Sequence, residues 1–239
     1  MLARIVSIFC ICLLITARLF AQQPDLCSSV KKQSAEITQL AADSLVNQAL
    51  QNIREAFKLD GKEHGISFGK DAAGKLIASA ITAGTTNSGT IPTVMNAFAD
   101  LHNHPNHLPP DAGDFYGLAD INKNDSNYRT RFVTTVNGSL YALLITNTAA
   151  LQSFREKYPQ QQPAYSGGPP GFAAAIVDEA REIKYLHHGT DDMVLTFILE
   201  KYNTGICLLK QNSSGHFTRL IATISKEGDH MVFSISSCP

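Results

Sequence analysis

A chain of 239 residues with 44% hydrophobic content is long enough to bury a substantial core, as one large or two small domains. Its 20 basic and 21 acidic side chains leave a formal net charge of −1, and no basic stripe or Arg/Lys cluster breaks that balance. This excludes nucleic acid as the main partner and leaves a small molecule or a polypeptide.

The first 21 residues read as a secretory signal peptide. Met1-Leu2-Ala3-Arg4 carries one positive charge, Ile5 to Ile15 is an apolar run too short to span a bilayer, and Leu19-Phe20-Ala21 before Gln22-Gln23-Pro24 marks cleavage after Ala21. Cys10 and Cys12 lack the small residue that precedes a lipidated cysteine. The expected location is the periplasm or the extracellular space, with no stable membrane span once the segment is removed. Cys27, Cys207 and Cys238 then face an oxidising compartment, which permits one disulfide and one free thiol. A bridge from Cys238 to either Cys27 or Cys207 ties down the end of the chain. Cysteine ligation of a metal is not expected, because no CxxC spacing occurs.

Residues 22–60 form an N-terminal helical segment. Val30, Ile37, Leu40, Leu45, Val46, Leu50, Ile53 and Phe57 recur at helical spacing without Gly or Pro, which predicts one or two amphipathic helices. A core segment, 61–158, follows. Gly61 to Gly69 and Lys75 to Ile81 predict a hairpin turning at Asp71-Ala72-Ala73-Gly74, and a Gly/Thr/Asn/Ser-rich loop spans Ala83 to Thr90. Met95 to Leu101 reads as a mostly buried apolar strand running into Leu101-His102-Asn103-His104-Pro105, where Pro105 ends the ladder. Asp111 fits the N-cap and Asp114 the N3 position of a helix reaching Ile121. Arg131 to Val136 and Ser139 to Thr146 meet at Asn137-Gly138, the clearest hairpin signal in the chain. A short helix over Thr148 to Tyr158 closes the segment.

Residues 159–171, rich in Gln, Pro and Gly, read as an exposed linker. The remainder, 172–239, is a helix pair (Phe172 to Leu186 and Asp191 to Tyr202) and a three-strand meander (Gly205 to Lys210, His216 to Ser225, His230 to Ser236). The meander either extends the main sheet or forms a separate lobe.

Alternate residues of a strand share a face, so His102 and His104 project together and Asn103 turns away. Two imidazoles and one nearby carboxylate make the three-ligand set of a catalytic zinc. Asp114 is preferred over Asp111 as the third ligand, because Asp111 is already occupied as a cap. His107 is a third-ligand or substrate-contact candidate in the loop. His187-His188 reads as a helix junction rather than a second metal patch, and His216 and His230 read as surface residues. An HxH barrel hydrolase is disfavoured, because too little chain follows His104 to build a barrel.

The run His102-Asn103-His104-Pro105, a Pro-containing loop, and Asp111-Ala112-Gly113-Asp114 opening a helix resembles the JAMM (JAB/MPN-type) metalloprotease signature, His-x-His-Pro followed by Ser-x-x-Asp. The resemblance covers roughly Glu63 to Thr146. It implies a cytidine-deaminase-like α/β fold, a mixed sheet flanked by helices, with Zn2+ held by His102, His104 and Asp114 and an upstream glutamate as general base. Glu63, before the first core strand, matches that glutamate; Glu55 is the fallback. The loop is one residue shorter than in the family, and Asp111 stands where the family has serine. Serine donates a hydrogen bond to a developing oxyanion, whereas an ionised carboxylate only accepts. That task then falls to the metal, to Asn103 or to a backbone N–H. Two functions follow: an exported zinc hydrolase of amide or isopeptide bonds, acting on a cell-wall peptide or a secreted protein, or a non-catalytic secreted binding domain on the same scaffold.

Overall fold

The computed structural model describes residues 26–162, 171–227 and 230–238, with only the backbone of His230. The expected signal peptide and most of the 159–171 linker lie outside the described residues; at the linker's margins, Gln161 and Gly171 form an isolated antiparallel bridge.

After a 3-10 turn at Ser28–Val30, the N-terminal segment forms two helices, α1 (Lys31–Ala42) and α2 (Ser44–Asp60). The break falls at Asp43, whose carboxylate accepts the Leu45 N–H at 2.8 Å and so caps α2. Gly61 ends α2 at a φ of 68°, a left-handed conformation natural to glycine.

A nine-stranded mixed sheet follows. The strands are β1 (His64–Lys70), β2 (Leu76–Ala78), β3 (Thr82–Ala83), β4 (Ala99–His104), β5 (Thr130–Thr135), β6 (Leu140–Ile145), β7 (Ile206–Gln211), β8 (Phe217–Glu227) and β9 (His230–Ser237). Their order is β2-β1-β4-β5-β6-β7-β8-β9, with β3 also paired to β1. The meander thus extends the main sheet, through β7 on β6. Only β4 and β5 run parallel, which requires a crossover, and helix α3 (Ala112–Asn124) supplies it. Helices α4 (Thr148–Lys157), α5 (Ala174–Arg181) and α6 (Asp191–Lys201) complete the fold, with a π-helical turn at Glu182–Leu186 after α5. No described helix is long and apolar enough to cross a membrane.

Both faces of the sheet are covered. On one, Val30, Ile37, Val46 and Ile53 from the N-terminal helices meet Phe68, Leu101, Phe132, Ala142 and Leu209. On the other, Phe115 and Leu118 of α3 pack with Leu143, Ile145, Leu151, Ile176 and Ile198. Strand β4 is buried along all six residues, with Ala99 and Leu101 facing the core under the N-terminal helices and Asp100, His102 and His104 on the other face.

Several boundaries shift by a few residues from the sequence reading, the widest at β4. Strand β4 begins at Ala99 rather than Met95, and Met95 is 59% exposed. Here the chain crosses tightly over β1: the Met95 carbonyl lies 2.1 Å from where a Cβ on Gly69 would stand. Asn96 then turns the backbone with a φ of 47° while its amide donates to the Lys70 carbonyl.

Of the pairings the sequence leaves open for its one disulfide, the fold makes Cys27–Cys238 and leaves Cys207 as a buried thiol. The bridge joins the start of the N-terminal helices to the last residue of the edge hairpin, 211 positions apart in sequence. A Cys238→Ser chain is expected to lose about 2–5 kcal/mol in urea unfolding, because the crosslink constrains a long loop in the unfolded state. An unchanged midpoint and slope would contradict this.

Candidate metal centre

Strand β4 and the first turn of α3 bring the sequence-selected ligands together. His102 and His104 share the β4 face opposite Leu101, and their Nε2 atoms lie 3.3 Å apart. Asp114 reaches both, with Oδ1 2.9 Å from His102 Nε2 and Oδ2 3.1 Å from His104 Nε2. The three side chains are buried, and each offers a ligand atom within 4.8 Å of the others. Among the described residues this is the one such group of three or more. The spacing fits one ion, since the edge of a tetrahedron with bonds of 2.0–2.1 Å is about 3.3 Å.

One of the two imidazoles is oriented from behind. The Leu108 carbonyl only accepts, so His104 Nδ1, 3.1 Å away, donates to it and makes Nε2 the atom a metal would take. His102 Nδ1 is buried with no partner. Asp111 and Asp114 form a reciprocal capping box: Asp111 Oδ1 accepts the Asp114 N–H at 3.1 Å, and Asp114 Oδ2 accepts the Asp111 N–H at 2.9 Å. The sequence reading preferred Asp114 as ligand because Asp111 is occupied as the cap, yet Asp114 also closes the box while it faces the imidazoles.

Glu63 enters from the neighbouring strand. It immediately precedes β1, is 8% exposed, and lines the same cavity of about 200 Å³ as His102, His104, Asp111 and Asp114. Its N–H donates to the Thr85 carbonyl and its own carbonyl accepts from Gly84. Gly89 completes the wall. A Cβ there would stand 3.3 Å from Glu63 Oε2 and 3.9 Å from the His102 Cβ. Glu55, the fallback base, pairs with Lys58 on the exposed face of α2.

Asn103 points away from the metal ligands, as its strand position requires. Its carbonyl accepts the His64 N–H at 2.7 Å and its amide donates to the Lys62 carbonyl at 3.1 Å. It thereby braces the two peptide groups flanking Glu63. His107 is exposed and outside the ligand group. His187 packs on Phe233, with ring centroids 4.7 Å apart.

The sequence reading missed the buried charges beneath the site, Asp100 and Arg131, and the tyrosine on them, Tyr128. One signal was available: Asp100, His102 and His104 alternate along β4 and therefore share a face. A larger depression, about 930 Å³, lies elsewhere, between α1, the β1–β2 turn and the segments leading into β4 and β5, and none of the metal-ligand group lines it.

Electrostatics tie these groups together. Burial disfavours charge on His104, but the Asp114 carboxylate, its hydrogen bond and the nearby Asp111 and Glu63 outweigh this and lift its pKa to about 9. Burial opposes ionisation of Asp114 as well, yet the two imidazoles hold its carboxyl well below the usual range. Burial pushes Glu63 up, against the pull of His102 and His104. Asp111 is raised by burial and by the Asp114 charge.

Comparison with protein-family models, curated proteins and solved structures finds no match to this chain.

Metal and proton compete for His104 Nε2. Metal uptake at pH 7 is therefore expected to release protons, with apparent affinity rising until pH reaches about 9. Calorimetric titration in buffers of different ionisation enthalpy counts those protons, and a count of zero would contradict the assignment. His104→Ala is expected to weaken binding by more than the roughly 10–100-fold typical of losing a supporting residue.

Proposed function

We propose that this chain is an exported zinc-dependent hydrolase of amide or isopeptide bonds, built on a JAMM-like, cytidine-deaminase-like arrangement. The carrying observation is that Glu63 lines the same small cavity as the His102/His104/Asp114 group. The ligand set of two imidazoles and one carboxylate suits zinc and leaves a fourth position open. When bound, zinc supplies Lewis acidity that polarises an amide carbonyl and acidifies a water.

The chain's own residues then divide the work. Glu63 would take a proton from the water that attacks the carbonyl carbon and pass it to the amide nitrogen as the C–N bond breaks. Burial suits it to that role by raising its proton affinity towards the working pH. Asn103 keeps Glu63 in register through the peptide groups on either side. The cavity of about 200 Å³ admits little more than the scissile unit, so longer parts of a peptide substrate extend outside it. The Cys27–Cys238 disulfide supports export, and export favours a cell-wall peptide or a secreted protein as substrate.

A second reading, a non-catalytic binding domain on the same scaffold, is favoured by Asp111. Its carboxylate occupies the family's serine position and is committed to the Asp114 N–H. It offers an acceptor where an oxyanion calls for a donor.

The two readings separate in one experiment. Zinc-loaded protein is incubated with a peptide and isopeptide library beside Glu63→Gln and a chelator-treated sample. The hydrolase reading expects cleavage that chelation abolishes and that Glu63→Gln lowers by about 10²–10⁴-fold with the metal retained. Cleavage unaffected by Glu63→Gln removes Glu63 as the base, and zinc binding without any cleavage favours the binding domain.

A further inference from the structure

We infer that Arg131 is the positioning residue of the metal centre, fixing the Asp114 ligand from behind and supplying the permanent positive charge of an otherwise acidic cavity. The inference rests on the metal-binding reading above and extends it to a residue the ligand motif does not contain.

Arg131 lies on β5, directly across the parallel β4/β5 ladder from Asp100. Its side chain is 7% exposed and that of Asp100 is 0%. The fork is used on two sides. Nε donates to Asp100 Oδ1 at 3.0 Å and Nη2 to Oδ2 at 2.9 Å, while Nη1 turns the other way and donates to the Asp114 carbonyl at 3.1 Å. Nη1 also stands 3.9 Å from Asp114 Oδ1, the oxygen that faces His102. Tyr128 holds the far end of the chain by donating to Asp100 Oδ2 at 2.7 Å. A buried hydrogen-bond chain therefore runs from Tyr128 through Asp100 and Arg131 to the backbone carbonyl of Asp114, and leaves Nη1 beside that residue's carboxylate.

Helix α3 is shaped to admit this guanidinium. Gly117 lies one turn after Asp114, and a Cβ there would stand 2.6 Å from Arg131 Nη1. Glycine inside a helix is unfavourable relative to alanine. The contact explains why it sits there: any side chain would displace the group that reaches Asp114.

Chemistry points the same way. Glu63, Asp111 and Asp114 all line the cavity, and Arg131 is the one lining residue with a permanent positive charge. Lysine cannot replace it, because an ammonium is a compact point charge without the rigid planar fork needed to engage Asp100 and Asp114 at once.

The test measures zinc affinity by competition with a chelating dye, and the visible absorption of Co2+-loaded protein, for wild type, Arg131→Lys, Gly117→Ala and Tyr128→Phe. The expected result is a roughly 10–100-fold loss of affinity and an altered Co2+ band for Arg131→Lys and Gly117→Ala, with a smaller loss for Tyr128→Phe. Arg131→Lys keeps the charge, so its defect reports geometry. Gly117→Ala disturbs only the contact with Nη1 and keeps the inference testable if Arg131→Lys fails to fold. Wild-type affinity and spectrum in a folded Gly117→Ala or Arg131→Lys chain would overturn the inference. Absence of metal binding by wild-type protein would instead overturn the metal-centre reading itself.

Discussion

One carboxylate anchors both the start of helix α3 and the two imidazoles. Asp114 Oδ2 accepts the Asp111 N–H while the same group faces His102 and His104, so the rotamer that closes the capping box also aims the ligand. A ligand aimed by a backbone hydrogen bond loses little freedom when it meets an ion. Placement at a helix N-terminus adds to this, because the exposed N–H groups and the dipole of α3 favour negative charge there. Asp111 and Asp114 both occupy that end.

The rest of the fold delivers this helix to this strand. A parallel β4/β5 pair needs a crossover, and the crossover sets the N-terminus of α3 over the carboxyl end of β4, where His104 lies. In open α/β sheets the crevice beyond the carboxyl ends of parallel strands is the usual ligand position. Antiparallel β1 on the other side of β4 carries Glu63 to the same end, since Gly65 pairs with His102. Gly65 also allows the 84–91 loop to close over the cavity: a Cβ there would stand 2.5 Å from the Thr90 carbonyl. The two helical layers hold the sheet from both sides, and Cys27–Cys238 joins one of those layers to the edge hairpin.

Local signals in the sequence were enough to read much of this arrangement. Asp111 and Asp114 read as N-cap and N3 because the capping box is a contact within four residues, and Asn137-Gly138 read as a turn for the same reason. His102 and His104 read as partners because strand geometry fixes their common face. The misses depend on contacts distant in sequence. Met95 looked like strand because nothing local reveals that its backbone crosses over Gly69. Asn103 was read as a candidate oxyanion donor, and its brace on the Lys62 and His64 peptide groups depends on a pairing about 40 residues away. Arg131 read as an ordinary hairpin residue, since its partner Asp100 meets it only across a parallel ladder.

The charge balance of the cavity gives the arrangement its chemical direction. Glu63, Asp111 and Asp114 converge there, and the positive charge of Arg131 is shared with the fully buried Asp100. Burying uncompensated carboxylates is costly, so such groups take up protons, pair with cations or bind metals. His104 answers part of this demand by holding its proton up to a pKa of about 9. A divalent cation would answer it more fully, because the Nε2 atoms and the Asp114 carboxylate are placed to meet one ion at once. The same balance weighs on what Asp111 does to catalysis. The Asp111 carboxylate would repel a developing oxyanion but would offset the charge of a bound cation, so the balance favours holding a metal.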